Sequence, residues 1–117
     1  FEYKDELSFI DTDTGDQLIF NFKTWLAVIK GIIVEYANKT QEEVDALIKN
    51  RNFLIPDSYG ECIFYSHEVE YHWAMLVVYG EGYWSHGISS GEPDNYNGWD
   101  LEFRKKYSLK EDSFEFL

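Results

Sequence analysis

The sequence is short of positive charge, of proline and of cysteine, and it contains no long apolar run. Ten Lys and Arg stand against 22 Asp and Glu, a formal net charge of -12. That imbalance argues against nucleic acid and anionic membrane as partners, because both attract basic surfaces and repel an acidic one. The one cysteine, Cys62, cannot close an internal disulfide. Flanked by Ile63, Phe64 and Tyr65, it reads as a small buried apolar residue, and a cytoplasmic working place fits. Nothing approaches the roughly 18 consecutive apolar residues of a membrane span, and no signal-peptide pattern is present. The chain starts at Phe1 instead of Met, so residues ahead of it are expected. With 117 residues, it is long enough for one domain, 1–117, whose core needs no metal or disulfide.

What is present is apolar and aromatic: 44% of residues are hydrophobic and 19% aromatic, well beyond a disordered composition. From Phe22 the apolar positions Trp25, Leu26, Ile29, Ile32, Ile33 and Tyr36 recur at helical steps, with Asn21 placed to start the helix and Asn38 to end it. Gly31 inside that helix costs about 1 kcal/mol and implies a close contact with another element. Thr40-Gln41-Glu42-Glu43 has the capping-box form and predicts a second helix from Gln41 to about Asn50. The densest segment is Ser66 to Gly80, which reads as a buried helix capped by Ser66, with Glu68 in its first turn and Gly80 ending it. A strand with Val69, Tyr71, Trp73, Met75, Val77 and Tyr79 on one face is the alternative. Residues 52–65 read as loop, with Cys62 to Tyr65 a short strand or a lead-in, and Trp99 to Tyr107 as a last short helix. The fold class expected is mainly α, with α+β as the alternative.

Charge is segregated along the chain. Residues 1–21 hold six acids against Lys4, with Tyr3, Leu7, Phe9 and Ile10 as anchors. Residues 51–100 hold eight acids against Arg51, and the rest balances. Between 80 and 98 five of the eight glycines are mixed with Tyr83, Trp84, Tyr96 and polar residues. A long loop carrying that many rings is usually functional.

Motifs for catalysis or metal fail on spacing. Asp11 to Asp16 resembles a calcium loop, but the sixth position is Asp16 and the twelfth Phe22, where glycine and glutamate are required; a solvated turn is the better reading. His67 and His72 are five apart, and zinc coordination from one helical face needs four. Glu68 and Glu70 diverge by about 200° on a helix, too far for paired acid and base work. Ser85-His86 lacks a nucleophile elbow. No enzyme activity, cofactor or metal is therefore expected.

Acidic and aromatic residues together instead describe an interaction surface, since hot spots favour Trp and Tyr inside a polar rim. The residues expected to contact a partner are Asp57, Glu61, Glu81, Tyr83, Trp84, Glu92, Asp94, Tyr96 and Trp99. Glu68 and Glu70 are assigned to orienting the central helix or contacting His67 and lysine side chains. The HE-x-E-Y-H-W-A-M block at 67–75 and the G-E-G-Y-W block at 80–84, with the small acidic character of the chain, resemble the bacterial immunity proteins of polymorphic and contact-dependent growth inhibition toxin systems. That resemblance implies a cytoplasmic protein, without catalysis of its own, which neutralises a cognate toxin domain. A basic nuclease is the expected target, because nucleases present cationic surfaces to phosphate. The alternatives are a carbohydrate-binding module and a nucleic-acid mimic that blocks a DNA-binding protein.

Overall fold

The fold is mainly α: the computed structural model, which describes residues 4–51 and 56–117, has five α-helices and a small three-stranded antiparallel sheet. Strands β1 (Leu7–Ile10) and β2 (Gln17–Phe20) form a hairpin whose exposed connection is the Asp11 to Asp16 turn. There the Asp13 N–H donates to Asp11 Oδ1 at 2.9 Å and Gly15 takes a positive φ of 79°. Strand β3 (Phe114–Phe116) returns from the far end of the chain to pair with β2, Phe20 opposite Phe114 with their rings stacked 4.4 Å apart. Sequence pattern predicts no strand at either end, and its anchor Tyr3 lies outside the described residues.

Helix α1 (Phe22–Ala37) carries the expected apolar face into the core, where Phe22, Trp25, Ile29, Ile32 and Ile33 are fully buried. It ends as expected at Asn38, left-handed at φ 55°. Asn21 precedes the first turn but makes no capping bond, because its side chain is committed elsewhere. Helix α2 (Gln41–Arg51) starts with the predicted reciprocal cap: the Glu43 N–H donates to Thr40 Oγ1 and the Thr40 N–H to the Glu43 carboxylate.

The segment after residue 55 corrects the sequence reading. Cys62 to Tyr65 is neither strand nor lead-in but part of a separate helix, α3 (Tyr59–Ser66). Ser58 caps it by accepting the Glu61 N–H, and the Glu61 carboxylate accepts the Asp57 N–H at 2.6 Å. Ser66 therefore closes α3, its hydroxyl donating to the Ile63 carbonyl, and does not open the next helix. Helix α4 (Glu70–Tyr79) begins four residues later, after Val69, and Glu68 lies outside it. Gly80 ends α4 with φ 84°, as anticipated.

After a single 3-10 turn, Tyr83–His86, the chain forms α5 (Tyr96–Lys106), which starts earlier than its sequence suggested. Helices α1 and α4 make the principal helix contact, with Trp25 and Trp73 edge to face at 6.1 Å. Helix α5 crosses α1 at Gly31, where an added Cβ would collide with the Phe103 ring. This is the close approach that the glycine implied. Gly31→Ala is expected to destabilise the protein by about 1–2 kcal/mol, although alanine in an open helix position gains about 1 kcal/mol. Urea denaturation checks this, with the cost falling by about half or more in a Phe103→Leu background. Equal costs in both backgrounds would show that the ring is not the cause.

Candidate partner-binding surface

Three neighbouring elements assemble a band of rings at the surface. Helix α3 supplies Phe64, α4 supplies His72 and Trp73, and the 3-10 turn supplies Tyr83 and Trp84. Phe64 lies edge to face on Trp73 at 5.8 Å, Trp73 meets His72 at 6.1 Å, and His72 meets Trp84 at 6.1 Å. The middle of the band is tied to the core. Trp73 Nε1 donates to the Tyr65 carbonyl at 3.0 Å, and His72 Nδ1 bonds the Tyr83 hydroxyl at 2.8 Å. Its ends are open: Phe64 is 62% exposed and Trp84 52%, with Val69 exposed as well.

The turn explains why adjacent rings go opposite ways. Gly82 and Gly87 bracket it in the left-handed region, at φ 70° and 88°, where a side chain would be strained. The tight reversal drives Tyr83 fully into the core and turns Trp84 outward. An anchored aromatic with a fixed backing loses little side-chain freedom when it binds, which is how hot spots are built.

Of the acids, Glu68 lies beside this band, close to Tyr83. Arg104 is buried in an internal network, Lys110 pairs with Glu6 at 3.0 Å and Lys30 with Asp45 at 3.4 Å. Among the described residues no ion pair reaches Glu68, Glu92 or Asp94. Burial raises the Tyr83 hydroxyl pKa, and the neighbouring Glu68 raises it further. Burial likewise raises Tyr96, with Glu70, Asp100 and Glu92 adding to it.

The nine residues expected at the partner surface are not one patch. Trp84, Asp57, Glu92 and Asp94 are exposed, and Glu81 is exposed beside Arg51 at 4.0 Å. Glu61 is exposed but engaged in capping α3. Tyr83 and Tyr96 are interior, so they support the surface without forming it; their hydroxyl-bearing rings fill the core beneath the loop. Trp99 is half-buried, stacked on Phe103 at 4.8 Å and edge to face with Tyr36 at 5.7 Å.

Sequence reasoning missed Phe64, Val69 and Glu68 as surface groups. The Ser58-x-x-Glu61 cap was the available signal, because a helix begun there turns Phe64 about 200° away from buried Cys62. Glu70 is held by Arg104 and Ser113 on another side of the fold from Glu68, so the two carboxylates share no site. Burial pushes the Cys62 thiol up to about 12, which keeps it protonated at neutral pH. Among the described residues, no group of three or more His, Cys, Asp and Glu side chains could hold a metal ion.

No family model, curated protein or solved structure matches the chain. The surface itself is what points to a function. Among the described residues no helix is long and apolar enough to cross a membrane.

Proposed function

We propose that this protein is an immunity protein that binds and neutralises a cognate cationic toxin domain, a nuclease by the logic of charge. The observation that carries the reading is the Phe64–Trp73–His72–Trp84 band, rigidly backed and open at both ends, beside Glu68, which no ion pair reaches among the described residues. A basic partner would meet Glu68 beside the band as a free charge, and the exposed Glu92 and Asp94 add to the acidic field that accelerates encounter, while Trp84 and Phe64 supply desolvated contact. The two blocks that resemble immunity proteins, 67–75 and 80–84, meet in this fold through the His72–Tyr83 bond.

The test is calorimetric titration with the product of the neighbouring reading frame, inactivated if toxic, at two salt concentrations. One-to-one binding that weakens with salt is expected. Trp84→Ala should weaken it roughly 30-fold, a loss of about 2 kcal/mol. Glu92→Lys should slow association and flatten the salt dependence. A neighbour that neither binds nor harms cells when expressed alone would overturn the reading.

A further inference from the structure

The sheet offers a second feature, an unpaired backbone edge. In the hairpin the Asp11 N–H donates to the Asp16 carbonyl at 2.8 Å, and the same register places Phe9 opposite Leu18 and Leu7 opposite Phe20. Antiparallel pairing alternates, so Leu7, Phe9 and Asp11 turn their backbone groups toward β2, and Ser8 and Ile10 turn theirs away. The far side of β2 obeys the same alternation: the Leu117 N–H donates to the Gln17 carbonyl at 3.0 Å and the Asn21 N–H to Ser113 at 2.7 Å. Since β1 is an outer strand in the order β1-β2-β3, the Ser8 and Ile10 N–H and C=O groups meet no partner among the described residues.

An open cleft of about 620 Å³ runs beside that edge, bounded by residues 8–12 on one side and 57–60 on the other. Consecutive residues line it, so both faces of the strand contribute, as they do along an edge. Its charged walls are Asp11 and Asp57, and among the described residues no lysine or arginine lines it. Asp16 also lies close, since with Asp11 it raises the Tyr59 hydroxyl pKa beyond the effect of desolvation. Exposed edges are normally blunted with lysine or proline. Here Ser8-Phe9-Ile10 carries neither, and the flanking acids would repel another copy of this strand while attracting a cationic one.

We infer that the β1 edge at Ser8 and Ile10 docks an extended cationic segment of the partner protein by strand addition, with the Asp11 and Asp57 carboxylates taking its lysine or arginine side chains. The inference rests on the immunity reading and says how that partner is held. Helix α3 links the two contacts. Its first turn forms the cleft wall and Phe64 stands four to five residues further on, so one partner reaches both across about 6–8 Å of helix.

The test follows amide hydrogen exchange of the full chain, free and with the inactivated toxin domain. A blocked peptide of alternating lysine and valine, and its glutamate counterpart, serve as independent probes. Toxin and lysine peptide should both slow exchange at Ser8 and Ile10, and the glutamate peptide should not. Ile10→Pro removes an outward N–H and no β1–β2 bond, so it should fold yet bind the toxin about tenfold more weakly. Asp57→Lys, whose side chain makes no internal bond among the described residues, should weaken binding without touching the strand. Should toxin bind while Ser8 and Ile10 exchange as in the free protein, strand addition is wrong and the immunity reading survives. Absence of toxin binding sinks the immunity reading, and absence of protection by the lysine peptide as well sinks the edge.

Discussion

Replacing Arg104 with methionine is expected to lower the stability of the fold by about 3–5 kcal/mol, the usual cost of removing one partner from a buried ion pair. The Arg104 side chain is 8% exposed and reaches four groups. Its Nε donates to Asp100 one turn earlier at 3.0 Å, one terminal nitrogen to the Lys110 carbonyl at 3.1 Å, and the other to Glu70 and Ser113 at 3.4 Å. Ser113 in turn donates its hydroxyl to Glu70. The network therefore joins α4, α5 and the segment leading into β3. Methionine fills similar volume but leaves the 18% exposed Glu70 side chain without its cation. Lysine should not rescue, because a single ammonium cannot reach acceptors placed in three directions. Denaturant unfolding measures the loss, and Glu70→Leu in the Arg104→Met background should recover part of it. A single-variant cost below about 1 kcal/mol would show the network to be solvent-screened and unimportant.

Asn21→Leu is expected to cost about 3 kcal/mol through polar groups left buried without partners. Asn21 is fully buried between β2 and α1. Its carbonyl oxygen accepts the Glu6 N–H at 3.0 Å, and its amide donates to the Asp112 carbonyl at 2.8 Å and to the Glu115 carboxylate at 2.9 Å. One side chain thus pins the chain before β1 and the chain before β3 to the start of α1. It also supports Glu6 at a positive φ of 61°, a conformation that needs outside help in a residue with a side chain. Asn21→Asp separates the roles. A carboxylate there still accepts from Glu6, but it is desolvated and faces Glu115, so its folded pKa is raised above the unfolded value. The sign follows: the Asn21→Asp variant should recover stability as pH falls and lose it as pH rises through that raised pKa. Thermal unfolding across the acidic range reads this, and a pH-independent deficit relative to wild type would contradict the network.

Much of the helical half was legible because local rules decide it. The apolar spacing of α1, the Asn38 terminator and the Thr40–Glu43 cap all act within a few residues of themselves, and each is found as read; the glycine at 31 announced a close contact, but only the fold shows that Phe103 makes it. The central helix was legible as a helix but not in its start. Ser66 looks like a cap in isolation, yet α3 had already claimed it through Ser58 and Glu61 upstream. The surface was legible only in its ingredients. Acids and rings gather in 80–99, but no local rule says that Tyr83 points inward and Trp84 outward.

From the residues alone come a mainly helical domain, its acidic imbalance and the region where aromatics and acids gather, because periodicity, capping and composition are properties of neighbouring residues. Tertiary structure alone decides the sheet, since strands of four and three residues are too short to show a period and β3 pairs with β2 from the opposite end of the chain. It also decides that Phe64, far from Trp84 in sequence, completes the same aromatic band, and that Ser8 and Ile10 face an open edge. Those choices depend on which surfaces remain after α1, α4 and α5 have packed, and no stretch of sequence carries that information by itself.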